Sequence, residues 1–169
     1  SMTISGYNRV TLVATAAMAS VRLDAASTTL TIDSVITDGR RLEFLHTGNI
    51  LEVMLPSEIR PSETLSLTIY YRGRSAFDGR YDSGGILFTR TTTGYSVATI
   101  SQPNFARQWW PCNDHPSDKA FFTLRCLVPP GMTVVSNGRL VSREERGGRH
   151  IFEWATKTPI ATYLVFLGA

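Results

Sequence analysis

The side chains with the most obvious chemistry fall within four positions: the Cys112 thiol, the Asp114 carboxylate and the His115 imidazole. Cys112 and His115 stand at i and i+3, a spacing that two ligands of one metal ion adopt. A zinc site needs a second such pair or a His-Glu-x-x-His helix, and the sequence contains neither. Its three histidines, His46, His115 and His150, lie in separate segments. A cysteine–histidine nucleophilic pair would need an orienting group and an oxyanion hole, and no neighbouring residue marks either. From the residues alone, this is a thiol and an imidazole held by packing. Glycine-rich phosphate motifs are absent as well. Gly84-Gly85 reads as an ordinary glycine pair ahead of a strand at 86–89.

These groups belong to a segment, residues 101–120, that can be neither regular helix nor regular strand. Pro116 breaks a helix, and Pro111 and Pro116 both lack the N–H that a ladder requires. Trp109 and Trp110 make the loop aromatic enough to be pinned to the body of a domain, as a packing corner or as part of a site. The two tryptophans have two readings: cover over a core, or a platform that stacks on a sugar or peptide in a binding module. Asp114, flanked by Trp110, Pro111 and Pro116, is expected to be partly buried and therefore paired or hydrogen-bonded. Arg107, Lys119 and the backbone N–H groups of its own turn are the candidate partners, and an Asx-type clamp is the structural reading. Gln102 follows Ala98-Thr99-Ile100, where a strand should end, and could present its amide to a ligand.

The elements that must position this loop are strands. Leu65, Leu67, Ile69 and Tyr71 alternate with polar neighbours, as do Leu51, Val53 and Leu55. Leu30 and Ile32 alternate likewise, and Leu42 and Phe44 continue the pattern. Asp38-Gly39, Gly48-Asn49, Asn137-Gly138 and Gly147-Gly148 sit between such runs, where hairpins need positive φ. Phe122, Leu124, Cys126 and Val128 share one face, so Cys126 reads as a small core residue, with a Cys112–Cys126 bridge left open. Residues 160–167 are apolar on both faces and predict a central strand. Residues 12–18 are ambiguous, because their alanines favour helix. Residues 73–85, with four glycines and two arginines, predict a mobile surface loop. Many short strands with regular turn signals predict a single all-β domain over residues 1–169, a sandwich or barrel.

Composition narrows the partners. The formal charge of +3 comes from 17 basic and 14 acidic residues that are interspersed, without a basic, aromatic-studded stripe. Nucleic-acid binding is therefore not expected. No apolar run reaches the ~20 residues of a membrane span, and the start lacks the features of a signal peptide. The ends predict a piece of a longer protein, and the localisation is not legible.

The loop itself carries a family resemblance. Gln102-Pro103-Asn104-Phe105-Ala106-Arg107-Gln108-Trp109-Trp110-Pro111-Cys112-Asn113-Asp114-His115-Pro116-Ser117-Asp118-Lys119-Ala120 resembles the signature of the amino-terminal domain of zinc aminopeptidases, the aminopeptidase N and leukotriene hydrolase family. Its pattern is Glu/Gln-Pro-x-x-Ala-Arg-x-x-x-Pro-Cys-x-Asp-x-Pro-x-x-Lys-Ala, and every fixed element is met. Leu23-Asp24, Leu30-Thr31-Ile32, Ile69-Tyr70-Tyr71-Arg72-Gly73, Ser136-Asn137-Gly138, Trp154 and the run from Pro159 to Val165 extend the likeness over nearly the whole chain.

The resemblance implies a saddle-shaped β-sandwich of mainly antiparallel strands, packed in the full protein against a thermolysin-like catalytic domain. That domain's Gly-x-Met-Glu-Asn and His-Glu-x-x-His motifs do not occur here, so zinc and all catalytic residues are expected outside this chain. A first strand ahead of Ile4-Ser5-Gly6 is expected to be missing too. The implied partners are the chain's own catalytic domain and a peptide substrate. Gln102 occupies the position whose Glu or Gln contacts the substrate's free amino end. Arg107, Trp109, Trp110, Pro111, Cys112, Asp114, Pro116 and Lys119 are implied to be structural. The competing reading is a stand-alone module that binds carbohydrate or protein through Trp109 and Trp110.

Overall fold

The computed structural model describes residues 2–75, 83–92 and 94–169. Among them the regular structure is all strand apart from two 310 turns, and every strand pairing is antiparallel. The described chain forms two compact units. The first holds residues up to 75 together with 107–113, and the second holds residues 83–106 and 114–169.

In the first unit the alternating runs become β1 (Thr3–Val13), β2 (Met18–Asp24), β3 (Leu30–Thr37), β4 (Arg40–Leu42), β5 (Phe44–Thr47), β6 (Ile50–Ile59) and β7 (Thr64–Arg74). They make a four-stranded sheet, β1-β7-β3-β4, and a three-stranded sheet, β2-β6-β5. One face of each is apolar, so the two sheets close over a shared core. Val35, Leu51, Val53, Leu67 and Ile69 in it are completely shielded from water. Asp38 and Gly39 join β3 to β4 with both residues at positive φ, the geometry of a tight hairpin. The ambiguous stretch at 12–18 divides between strands: β1 ends at Val13, Ala14 donates to the Glu63 carbonyl at 2.9 Å, and β2 begins at Met18.

The second unit contains β8 (Gly85–Arg90), β9 (Tyr95–Ile100), β10 (Lys119–Ala120), β11 (Thr123–Val128), β12 (Val135–Ser136), β13 (Arg139–Arg146), β14 (Arg149–Ala155), β15 (Ile160–Ala161) and β16 (Leu167–Gly168). These form the sheets β12-β16-β9-β8, β11-β14-β13 and β10-β15. Gly147 and Gly148, both at positive φ, turn β13 into β14. The looseness predicted for residues 73–85 falls largely on 76–82, outside the described residues; its ends belong to β7 and β8.

Two expectations need correction. Residues 160–167 are not one central strand: β15 stops at Ala161, a 310 turn spans Thr162–Leu164, and β16 starts only at Leu167. Side chains replace the ladder here. The Leu164, Val165 and Phe166 carbonyls accept from Asn137, Ser101 and Ser136 at 2.9, 2.7 and 2.6 Å. The Phe166 and Leu167 N–H groups go to Asn137 and Thr99 at 2.7 and 2.9 Å. With its backbone bonded this way, the middle of the run, residues 162–166, needs no strand neighbour, and Leu164 and Phe166 stay exposed. Nor is Asn137-Gly138 a hairpin, since β12 pairs with β16 and β13 with β14. Gly138 is needed there because its φ is +85° and a Cβ would lie 2.1 Å from the Ala155 carbonyl oxygen.

Candidate functional site

The loop is divided between the units. Residues 107–113 belong to the first, where a backbone outside any strand must find its hydrogen bonds elsewhere. Asp24 at the end of β2 and Cys112 bond to each other through both backbone groups, at 2.7 and 3.0 Å. The Ala26 N–H donates to the Arg107 carbonyl at 2.9 Å, and the Asn8 amide donates to the Pro111 carbonyl at 2.8 Å. Arg107 also meets Asp24 through its side chain at 3.0 Å, both groups mostly shielded from solvent. Trp109 and Cys112 are buried at 3% and 2% exposure, Pro111 is buried, and Trp110 is half-buried.

This arrangement limits how much of each tryptophan is open to solvent. Their rings lie 5.8 Å apart with planes tilted by 57°, so they form no flat shelf, and Trp109 has almost no surface to offer a sugar. They cover a core. Cys112 and Cys126 are both free thiols, with Cys126 half-buried on the inner face of β11. Burial pushes the Cys126 thiol up to about 11.

The flanks of the loop belong to the second unit. Asp114 is buried and accepts a hydrogen bond from the Thr162 hydroxyl at 3.3 Å. The predicted burial of this carboxylate therefore comes with a partner that sequence proximity did not suggest. His115 is exposed, its Nδ1 2.7 Å from the Ser117 hydroxyl. Pro116 and Lys119 are exposed, with Lys119 paired to Ala161 in the short β10–β15 ladder.

Gln102 lies two residues beyond β9, exposed, with a cis peptide bond to Pro103. Its neighbour Ser101 is buried, and the Ser101 hydroxyl donates to the Val165 carbonyl at 2.7 Å. The Phe105 N–H returns to the Ser101 carbonyl at 2.9 Å, closing a turn around Gln102. The anchoring roles of Ser101, Thr99 and Asn137 have no local sequence pattern, although Asn137 stands out as a turn residue. Small polar residues flanking apolar runs are the signal for Ser101 and Thr99.

Among the described residues no group of three or more His, Cys, Asp or Glu side chains could hold a metal ion. No helix among them is long and apolar enough to cross a membrane.

Comparison with known proteins agrees with this architecture. The crystal structure of an M1 zinc metallopeptidase from Deinococcus radiodurans superposes with a TM-score of 0.84 at 30% identity, over 97% of this chain and 37% of that one. Native leukotriene A4 hydrolase from Saccharomyces cerevisiae shares the fold, with a TM-score of 0.72 at 23% identity over 99% of this chain and 26% of the other. In sequence, the leucyl aminopeptidase of Saccharolobus solfataricus is 36% identical over 84 residues, 50% of this chain and 11% of that protein. Probable aminopeptidase 1 of the same organism is 30% identical over 155 residues, 87% of this chain. The chain thus spans 11% of the first relative's length and 18% of the second's. The Peptidase M1 N-terminal domain family matches residues 1–164, and the chain belongs to that family.

Proposed function

We propose that this chain is the non-catalytic amino-terminal domain of a zinc aminopeptidase, that it walls one side of the substrate cleft, and that Gln102 meets the peptide's free amino end. The parent protein removes N-terminal residues from peptides. The observation carrying this reading is the setting of Gln102: an exposed amide on a turn whose base is fixed through buried Ser101. A group that registers one end of a substrate must reach it while its own backbone stays put. The Gln102 carbonyl oxygen accepts a hydrogen bond from an ammonium, and as a neutral acceptor it holds the cation less tightly than a carboxylate would.

The described residues do not fit a zinc site, so the metal and the residues around it belong to the parent's catalytic domain. This chain supplies no step of bond cleavage; it orients the substrate. The purified 1–169 chain, incubated with amino-acid anilides and zinc, is expected to hydrolyse nothing and to retain no stoichiometric metal. Anilide hydrolysis by this chain alone would overturn the proposal.

A further inference from the structure

Gly84 and Gly85 are glycines for different reasons. Gly85 opens β8 at a φ of +95°, a conformation that side chains disfavour. Gly84 has no such backbone requirement. It is buried, and a Cβ built on it would lie 2.2 Å from Cδ2, 2.5 Å from Cγ and 2.6 Å from Cβ of Phe105. The last of these distances matters most. Turning a phenylalanine about χ1 and χ2 moves its ring but leaves its Cβ fixed to the backbone. A methyl group at position 84 therefore displaces the Phe105 backbone by about 1 Å to reach ordinary contact.

That backbone closes the turn around Gln102. The Phe105 N–H is bonded to the Ser101 carbonyl at 2.9 Å, and Gly85 pairs with Ile100 in the last β8–β9 step, so Gly84 lies just past the strand end that delivers Ser101. We propose that Gly84 is a positioning residue for Gln102: the bare Gly84 backbone seats Phe105, and the seated Phe105 fixes where the amide of Gln102 points. The inference rests on the reading of Gln102 as the contact for the substrate's amino end.

The test is a double-mutant cycle in the full-length protein, read as KM and kcat on amino-acid anilides, with circular dichroism confirming the fold. Gln102→Ala is expected to raise KM about tenfold or more with kcat retained. Gly84→Ala should raise KM to a similar degree. The double variant should be no worse than Gln102→Ala, because a displaced amide and an absent one are equivalent. If Gly84→Ala fails to fold, Phe105→Ala decides instead: loss of the clamp without a clash raises KM several-fold, and only when Gln102 is present. A KM unchanged by the position 84 and 105 variants, or effects that multiply with Gln102→Ala, would overturn this inference alone. An unchanged KM for Gln102→Ala would overturn the underlying reading and this inference with it.

Discussion

Asp24 and Cys112 exchange both of their backbone hydrogen bonds, at 2.7 and 3.0 Å, and so join the end of β2 to the middle of a proline-rich loop. This single antiparallel bridge lies beside the 3.0 Å contact between the Asp24 carboxylate and the Arg107 guanidinium. The carboxylate thus fixes by charge the same segment that its backbone fixes by pairing. Pro111 has no N–H to contribute, and its carbonyl is taken by Asn8. The bonds that a strand ladder would give are instead assembled from three separate parts of the unit.

Arg107→Ala should accordingly weaken the first unit without abolishing folding. Charge-assisted hydrogen bonds between mostly shielded groups contribute about 1.5–3 kcal/mol, and urea denaturation of the 1–169 chain should show a loss of that order. A change smaller than about 0.5 kcal/mol, the size of an exposed surface pair, would contradict the assignment.

Trp109→Ala removes a large side chain that is 3% exposed. The expected loss is about 3–5 kcal/mol, with Trp109→Phe milder. Titration of the folded chain with simple sugars should leave the tryptophan fluorescence unchanged. Saturable quenching by a sugar would restore the binding-module reading.

Asp114→Ala should cost about 1–3 kcal/mol, because it leaves the buried Thr162 hydroxyl without its 3.3 Å acceptor. Asp114→Asn keeps an acceptor oxygen at that position and should cost less. Equal losses for the two variants would show that the charge, and not the hydrogen bond to Thr162, holds the loop.

Cys126 gives a signature in pH. Its thiol is raised to about 11 from an ordinary value of 9.0 by burial. Between these values the unfolded chain has released a proton that the folded chain retains, so stability falls as pH rises through that window. Cys126→Ala should remove this part of the alkaline fall. Iodoacetamide should also modify Cys126 far more slowly in the folded chain than in urea at pH 8, and equal rates would contradict its burial.

Strands β3, β6 and β7 were legible because each has one buried face, and a period of two records that in the residues themselves. Leu65, Leu67 and Ile69 could have belonged to little else. Asp38-Gly39 was legible for the same local reason, since a turn with two positive φ values selects its residues. Residues 160–167 were not legible. Their apolar character matches a central strand, and only the hydroxyls and amide of Thr99, Ser101, Ser136 and Asn137, distant in sequence, reveal that the ladder is replaced. The pairing of Arg107 with Asp24 and of Asp114 with Thr162 was hidden for the same reason, because no local pattern encodes a partner across the fold. At the candidate site, Gln102 was visible through its motif, whereas Gly84 looked like loop punctuation. The steric demand of Phe105 exists only once the strand ends are brought together.

The central claim is that Gln102 receives the amino end of a peptide, and KM is the quantity that tests it most directly. In the full-length protein, Gln102→Ala should raise KM for an amino-acid anilide about tenfold or more while kcat is retained. Gln102→Glu should lower KM below that of the wild type, because a carboxylate pairs with the ammonium more strongly. A KM unaffected by Gln102→Ala would contradict the account.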